Sequence, residues 1–243
     1  MFFGLFWGDW TIFLLLPAMI FAFWAQFKVQ STFKKYDRVM SSKNMTGADA
    51  ARRILDANGL YDVKVEHVRG HLNDHFDPRT NVIRLSDATY SSVSVAAIGV
   101  AAHEAGHAVQ HAEGYAPIRL RQAIVPVTRF GSALAMPLFL IGLLLIGFGG
   151  IDPVVGEFMM FGGILLFSLS TIFQLITLPV EFNASSRALK VLEGSSVLDP
   201  QEIGGARAVL SAAAMTYVAA LATSLAYLLR FILIAAGASG RRR

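Results

Sequence analysis

Residues 92–111 read SVSVAAIGVAAHEAGHAVQH, a mostly apolar segment that carries three histidines at intervals of four positions in its second half. Its alanines and other small or aliphatic residues favour a helix. Ser91 or Ser92 can cap the start of this helix, and Gly114 follows as a stop signal. The sequence therefore predicts one helix over Ser92–His111.

Two of the three histidines of this helix, His103 and His107, lie on one face. Positions i and i+4 are separated by about 40° around a helix axis and about 6 Å along it. Both imidazoles can therefore reach a single zinc ion, each at about 2.0–2.1 Å. Glu104 stands beside the first histidine, where its carboxylate can take a proton from an attacking water and return it to a leaving amine. The motif predicts a catalytic zinc helix.

A two-histidine motif needs a third ligand, and the residues just after it do not supply one. Metzincin proteases place glycine and histidine where this chain has Gln110 and Glu113. His111 continues the four-residue spacing, but it lies about 12 Å along the axis from His103, too far for both to bind one ion. The third ligand must come from elsewhere in the chain.

The composition points to a membrane protein. Apolar residues make up 54% of the chain and charged residues only 16%, whereas about a quarter of an average soluble domain is charged. A helix needs roughly 20 mostly apolar residues to cross a bilayer. Four runs meet this requirement: Trp10–Phe27, Gly131–Gly150, Phe158–Leu178 and Ala208–Leu229. We predict a mainly α membrane protein with about four transmembrane helices and an α+β, zincin-like catalytic region between the first two.

The first apolar run, Trp10–Phe27, is predicted to be an anchor that is not cleaved. No basic residue precedes it, and no small-x-small cleavage site follows it. It runs instead into Lys28, Lys34, Lys35 and Arg38.

The basic residues predict the orientation of the chain. Most of them lie in residues 28–130, whereas residues 151–157 hold two acidic residues and no basic one. Because Lys and Arg favour the cytoplasmic side, residues 28–130 and 179–207 are predicted inside and residues 151–157 outside. Arg241–Arg243 disagree, since four spans would leave them outside. Either the last segment does not fully cross, or a short terminal cluster is tolerated there.

This orientation selects Glu181 as the third ligand, because it places Glu181 on the same membrane side as His103 and His107. Ser185 follows one turn later and can hydrogen-bond a ligand. Arg187 is the nearest positive group and can steady an oxyanion or a substrate carbonyl. The alternatives are an ordinary carboxylate at a helix start for Glu181 and a cytoplasmic anchor for Arg187.

Five parts follow from these assignments. They are an N-terminal anchor (1–27), a cytoplasmic catalytic region (28–130), a transmembrane hairpin (131–178), a cytoplasmic segment with the third ligand (179–207) and a last transmembrane helix with a basic tail (208–243). Within the catalytic region, Thr46–Asn58 reads as a helix stopped at Gly59. Val63–Val68 and Asn81–Leu85 alternate like strands, and Asp77–Asn81 has turn chemistry.

Some classes of protein and site are excluded or disfavoured. The chain has no cysteine, so it holds neither a disulfide nor a thiolate metal site. Its net charge of +4 comes from basic residues interleaved with acidic ones, which does not suggest nucleic-acid binding. His71, Asp74, His75 and Asp77 could hold a second metal, but a loop packed by hydrogen bonds is the more common case, and we leave them out of the site.

The chain resembles the YugP-type neutral zinc metallopeptidases of bacterial membranes. The resemblance rests on residues 70–78 (GHLNDHFDP), 82–86 (VIRLS), 101–110 (AAHEAGHAVQ) and 115–121 (YAPIRLR). It implies hydrolysis of peptide bonds, one zinc ion, and a multi-pass protein of the bacterial inner membrane. It also implies peptide or protein substrates, membrane proteins among them.

The site is also similar to that of the HtpX-like membrane proteases. Their third zinc ligand is the Glu of a Glu-x-x-Ala-Asp stretch on a later helix, which corresponds here to Glu181 with Ala184. Ser185 stands where those proteases have Asp, so the support of the ligands should be weaker or differently arranged. Peptidases of this broad kind bind substrate as an added strand, for which Asn81–Leu85 is the candidate edge. An ordinary hairpin strand is the alternative.

Two other interpretations were weighed. An intramembrane protease would bury its zinc helix in the bilayer, but the apolar run Val93–Ala102 is too short to span, and Leu198–Pro200 lacks the Leu-Asp-Gly ligand of such enzymes. A non-catalytic scaffold or transporter would keep a structural metal. Structural zinc normally has four protein ligands, and only three are found in this sequence.

Overall fold

The structure is a computed structural model that describes residues 10–148, 153–194 and 197–240. The end of the second apolar run, Asp152 and the terminal Arg241–Arg243 lie outside the described residues. The elements in chain order are a 3-10 turn Trp10–Leu14, α1 Leu15–Tyr36, α2 Gly47–Ala57, β1 Lys64–His67, β2 His75–Asp77, β3 Val82–Leu85, α3 Val95–Ala112, α4 Ala116–Phe148, α5 Pro153–Gly194 and α6 Pro200–Gly240.

Four helical stretches of 27 to 41 residues are long and apolar enough to cross a membrane. They are Trp10–Tyr36, Ala116–Gly147, Val154–Gly194 and Pro200–Ala238. Large apolar side chains stand exposed along them, among them Phe23, Phe130 and Phe158 at 71–75% exposure. Lipid solvates such side chains and water does not. The prediction of a mainly helical protein with four such helices is confirmed, and each helix is longer than the apolar run that predicted it.

The chain divides into two compact units. The first comprises residues 1–24, 120–177 and 218–243. Its apolar helices pack through Phe139 and Phe231, whose stacked rings lie 4.6 Å apart. At Gly142 an added Cβ would lie 2.6 Å from the backbone N of Met160. Only small residues let helices approach this closely, as is typical of helix packing in lipid.

The second unit comprises residues 25–119 and 178–217, and it contains the small sheet. Strand β3 lies in the middle, parallel to β1 and antiparallel to β2. Helices α2 and α3 bury their apolar faces with the sheet in one core, which includes Ile54, Ile83 and Ile98. The core removes these side chains from water and thereby fixes α3 against the sheet.

The local predictions for α2 hold. Thr46 is its N-cap and forms a capping box with Asp49. Asn58 is its C-cap, and Gly59 follows with φ of +72°. A glycine tolerates that left-handed backbone without steric cost.

Two predictions are wrong. Helix α3 is capped by Ser94, whose side chain accepts from the N–H of Ala97, and not by Ser91 or Ser92. Ser92 instead accepts the N–H of Ser94. Asn81–Leu85 is not an edge, because β3 is paired on both sides, and the edge strand on its antiparallel side is β2. β2 has three residues and runs into the turn after Asp77, so it gave no strand signal of its own.

Candidate metal centre

Helix α3 presents its two motif histidines to the neighbouring helix α5. The side chains of His103 and His107 are only 14% and 12% exposed. Gly106 lies between them, and a Cβ added there would lie 2.7 Å from the backbone O of Ala184 on α5. The glycine therefore lets the backbone of α5 come directly against the motif, and this close approach positions the next donor.

That donor is Glu181, whose side chain is 2% exposed. Its Oε2 lies 3.2 Å from Nε2 of His103 and 3.4 Å from Nε2 of His107. The three donor atoms all lie within 4.8 Å of one another. Two ligand atoms at about 2.0–2.1 Å from a zinc ion, in tetrahedral directions, are about 3.3–3.4 Å apart. The donor set therefore fits a metal ion of this size, and it leaves a fourth position open.

Each histidine forms a hydrogen bond through Nδ1, the ring nitrogen that does not face Glu181. Nδ1 of His103 lies 3.1 Å from Oγ of Ser185. Nδ1 of His107 lies 3.0 Å from Oε1 of Gln110. Such outer partners orient metal-binding imidazoles. Burial is the largest single influence on the pKa of His107 and lowers it. In the protonated ring, the hydrogen bond with Glu181, the negative charges of Glu104 and Glu181 and the hydrogen bond with Gln110 together outweigh burial and raise that pKa above its ordinary value.

Glu104 is buried beside the donors without being one of them. It is 8% exposed, and its Oε2 accepts the backbone N–H of Phe76 at 3.0 Å. Phe76 belongs to β2 and faces Ile83 of β3 across the ladder. Its N–H is donated to the carboxylate of Glu104 and fixes that carboxylate beside the edge strand.

The sequence model of the family described as "Putative neutral zinc metallopeptidase" matches residues 11–236. The chain belongs to this family. It is also 53% identical over 223 residues to the "Putative membrane protease YugP" of Bacillus subtilis (strain 168), covering 92% of this chain and 95% of that protein. No solved structure matches the chain.

Other polar residues extend the group formed by His103, His107 and Glu181 into a hydrogen-bonded network. Gln110 and Asn183, which the sequence analysis did not select, are hydrogen-bonded to each other at 2.9 Å. Arg187 donates from Nε to Oδ1 of Asn183 at 2.7 Å and pairs through Nη1 with Glu113 at 2.7 Å. A role of Arg187 on an oxyanion or substrate carbonyl stays a prediction. Gln110 could have been found from its position three residues after His107 on the same helix, since residues at that spacing are neighbours.

His71, Asp74, His75 and Asp77, the candidates for a second metal site, do not bring three ligand atoms close enough together to share an ion. Asp74 accepts from the backbone N and the hydroxyl of Ser86, and His75 lies against the backbone O of Asn73. Hydrogen bonds from Thr80, Arg79 and Arg84 lower the pKa of the Asp77 carboxyl to about 2. Across residues 10–148, 153–194 and 197–240, the group with metal-binding geometry is the one formed by His103, His107 and Glu181.

Proposed function

We propose that this protein is a membrane-bound zinc metallopeptidase that hydrolyses peptide bonds at the His103–His107–Glu181 group. The observation that carries the proposal is the spacing of 3.2 and 3.4 Å between the Glu181 oxygen and the two histidine nitrogens. Family membership supports the same conclusion. Structural zinc is normally closed by four protein ligands, so a group of three favours catalysis over a scaffold or transporter with a structural metal.

The roles of the residues follow from their placement. His103, His107 and Glu181 would hold one zinc ion, whose Lewis acidity lowers the pKa of water towards 7 and polarises a peptide carbonyl. Glu104 accepts a proton from the attacking water on a carboxylate oxygen and later delivers it to the nitrogen of the leaving amine. Because the carboxylate is buried and held by the N–H of Phe76, its position is set before substrate arrives.

The substrate is proposed to bind as an extended strand along β2. This strand lies at an edge of the sheet, and its Phe76 N–H already points towards the catalytic carboxylate. Backbone pairing along an edge accepts many sequences and leaves specificity to side-chain pockets. A zincin-like catalytic region of this kind would act on peptides and on protein substrates, membrane proteins among them.

The protein is proposed to lie in the bacterial inner membrane with its site facing the cytoplasm. The relative from Bacillus subtilis is named as a membrane protease, and four helices here are long and apolar enough to span. The distribution of Lys and Arg supports residues 28–130 and 179–207 on the cytoplasmic side. A reporter fused after Val155 should then be active outside the cytoplasm, and cytoplasmic activity would overturn this orientation.

The decisive experiment is the replacement Glu104→Gln. Zinc content should stay near one ion per chain, because Glu104 is not a ligand in this proposal, and cleavage of an unfolded, fluorescently labelled protein should fall at least about 100-fold. Glu193→Gln is the matched control, since Glu193 pairs with Arg207 at the far end of α5. Undiminished proteolysis by Glu104→Gln would refute the mechanism.

A further inference from the structure

Gln110 is fully buried and uses its whole amide in hydrogen bonds. It is 0% exposed. Its Nε2 donates to the backbone O of Val180 at 2.8 Å and to Oδ1 of Asn183 at 2.9 Å. Its Oε1 lies 3.0 Å from Nδ1 of His107. A buried amide whose polar atoms are all paired is held in one orientation, because turning it over would unpair several groups at once.

The orientation of this amide follows from which groups can donate and which can accept. The backbone O of Val180 can only accept, so the NH₂ group of Gln110 must face it. Asn183 leads to the same result independently. Arg187 has only donors, and its Nε binds Asn183 at 2.7 Å, so the atom facing Arg187 and Gln110 must be the Asn183 oxygen. Both partners therefore require the NH₂ of Gln110 on the α5 side.

The remaining atom of the amide, Oε1, then faces His107. This oxygen can only accept, so Nδ1 of His107 must carry the hydrogen. The neutral ring is then left with a lone pair on Nε2, the nitrogen that lies 3.4 Å from the Glu181 oxygen. That oxygen takes its hydrogen bond from Nε2 of His103 at 3.2 Å, so the neutral His107 ring need not donate to it. We propose that Gln110 is a positioning residue that holds His107 in its metal-binding tautomer. The inference rests on the proposed function in so far as it treats His107 as a zinc ligand.

His103 is not constrained in this way. Its Nδ1 contacts the hydroxyl of Ser185, and a hydroxyl either donates or accepts as required. Ser185 therefore holds the ring without selecting a tautomer. Nε2 of His103 lies 3.2 Å from Oε2 of Glu181, and a carboxylate only accepts, so without a metal the hydrogen of this ring lies on Nε2, the nitrogen that a metal would take. Of the two histidine ligands, His107 is therefore the one that the fold holds in its metal-binding tautomer before a metal binds.

The same amide joins the two helices of the site. Val180 and Asn183, its partners on α5, flank Glu181, the third donor. A displacement of α5 would therefore move Glu181 and loosen the hold on His107 together. The affinity for metal should depend on Gln110 even though its side chain touches no metal in this proposal.

Gln110→Met tests the inference, because methionine has a similar length and volume and makes none of the three hydrogen bonds. Nitrogen-15 NMR of histidine-labelled, metal-free protein in detergent micelles, at alkaline pH where the rings are neutral, reports the tautomer, and His107→Gln assigns the signal. We expect the Nδ1–H form at His107 in the wild type, and its loss in Gln110→Met. Zinc affinity, measured by chelator competition, should fall about 10–100-fold, as is typical for loss of an outer partner.

Two further variants sharpen the test. Asn183→Leu leaves the backbone O of Val180 in place, so the tautomer should persist and zinc affinity should fall less than in Gln110→Met. Gln201→Met is the matched control, since Gln201 is an exposed residue of the same unit, and it should change neither readout.

The outcomes separate the two proposals. An Nε2–H form at His107 in the wild type refutes the inference even if the variants fail to fold. So does a folded Gln110→Met protein with wild-type tautomer and affinity. If the wild type binds no zinc but shows the Nδ1–H form, and Gln110→Met loses it, the proposed function fails while the role of Gln110 in setting the tautomer stands.

Discussion

Helix α3 carries His103, Glu104 and His107 within five residues, whereas α5 brings its donor, Glu181, to them from 78 positions further along the chain. The donors of α3 are aligned by helix geometry alone, since residues four apart share a face. Glu181 is aligned by the packing of one helix against another, at the glycine that lets their backbones meet. The candidate site therefore lies at the interface between α3 and α5. Substitutions on α5 should weaken metal binding as much as substitutions within the motif.

The largest effect is expected from Glu181→Ala, which removes the only donor that α5 contributes to the group. Two histidines on one helix should bind zinc far more weakly than three ligands do, by more than the roughly 10–100-fold typical of an outer partner. Metal analysis of the purified protein should find about one zinc per wild-type chain and much less in the variant. Glu193→Ala, at the C-terminal end of the same helix, should keep its zinc. Full occupancy in Glu181→Ala would mean that α5 supplies no ligand.

An intermediate effect is expected from Gly106→Ala, which alters the contact between α3 and α5 and replaces none of the three metal donors. The new Cβ would lie 2.7 Å from the backbone O of Ala184, a distance that forces the helices apart. Overpacking of this kind costs about 1–3 kcal/mol. The unfolding temperature and the zinc affinity should therefore both fall.

Gly204→Ala is the matched control for this change. Gly204 lies within α6, and an added Cβ there meets nothing within 4 Å. Alanine at an unobstructed helical position should be neutral or stabilising, by about 0.4–1 kcal/mol. If Gly106→Ala behaves like Gly204→Ala, close approach of α5 is not what assembles the site.

The smallest effect is expected from Ser185→Ala. The variant removes the hydroxyl from Nδ1 of His103 and leaves the three donors and the helix contact intact. Zinc affinity should fall about tenfold, at the low end of the range for outer partners, and the chelator titration used for Gln110→Met gives the direct comparison. If Ser185→Ala lost more zinc affinity than Gln110→Met, the hydrogen bond to His103 would matter more for metal binding than the hydrogen bond to His107, contrary to this expectation.

The sequence predicted the features that depend on local spacing. The histidine pair and Glu104 lie on one helix in a fixed pattern, and the ends of α2 are visible in Thr46 and Gly59. The four apolar helices follow from runs long enough to cross a bilayer. Glu181 was found less directly, through the predicted orientation of the spans.

The features that were missed depend on contacts between distant segments. Strand β2 is only three residues long, and its place at the sheet edge is set by pairing with β3. Gln110 and Asn183 are ordinary polar residues in the sequence, and only the packing of α3 on α5 gives each of them a buried partner. Ser94 competes with two nearby serines for the cap of α3, and the choice depends on contacts such as its hydrogen bond to Asp37.

The long separation of the donors along the chain has a consequence for stability. A metal ion shared by His103 and Glu181 would act as a cross-link that closes a loop of 78 residues in a chain without cysteine. Cross-links restrict the unfolded chain more as the loop they close grows longer, although only logarithmically. The proposed ion would thus tie the helix synthesised early to the one synthesised late, and an unfilled site would leave that connection to packing alone.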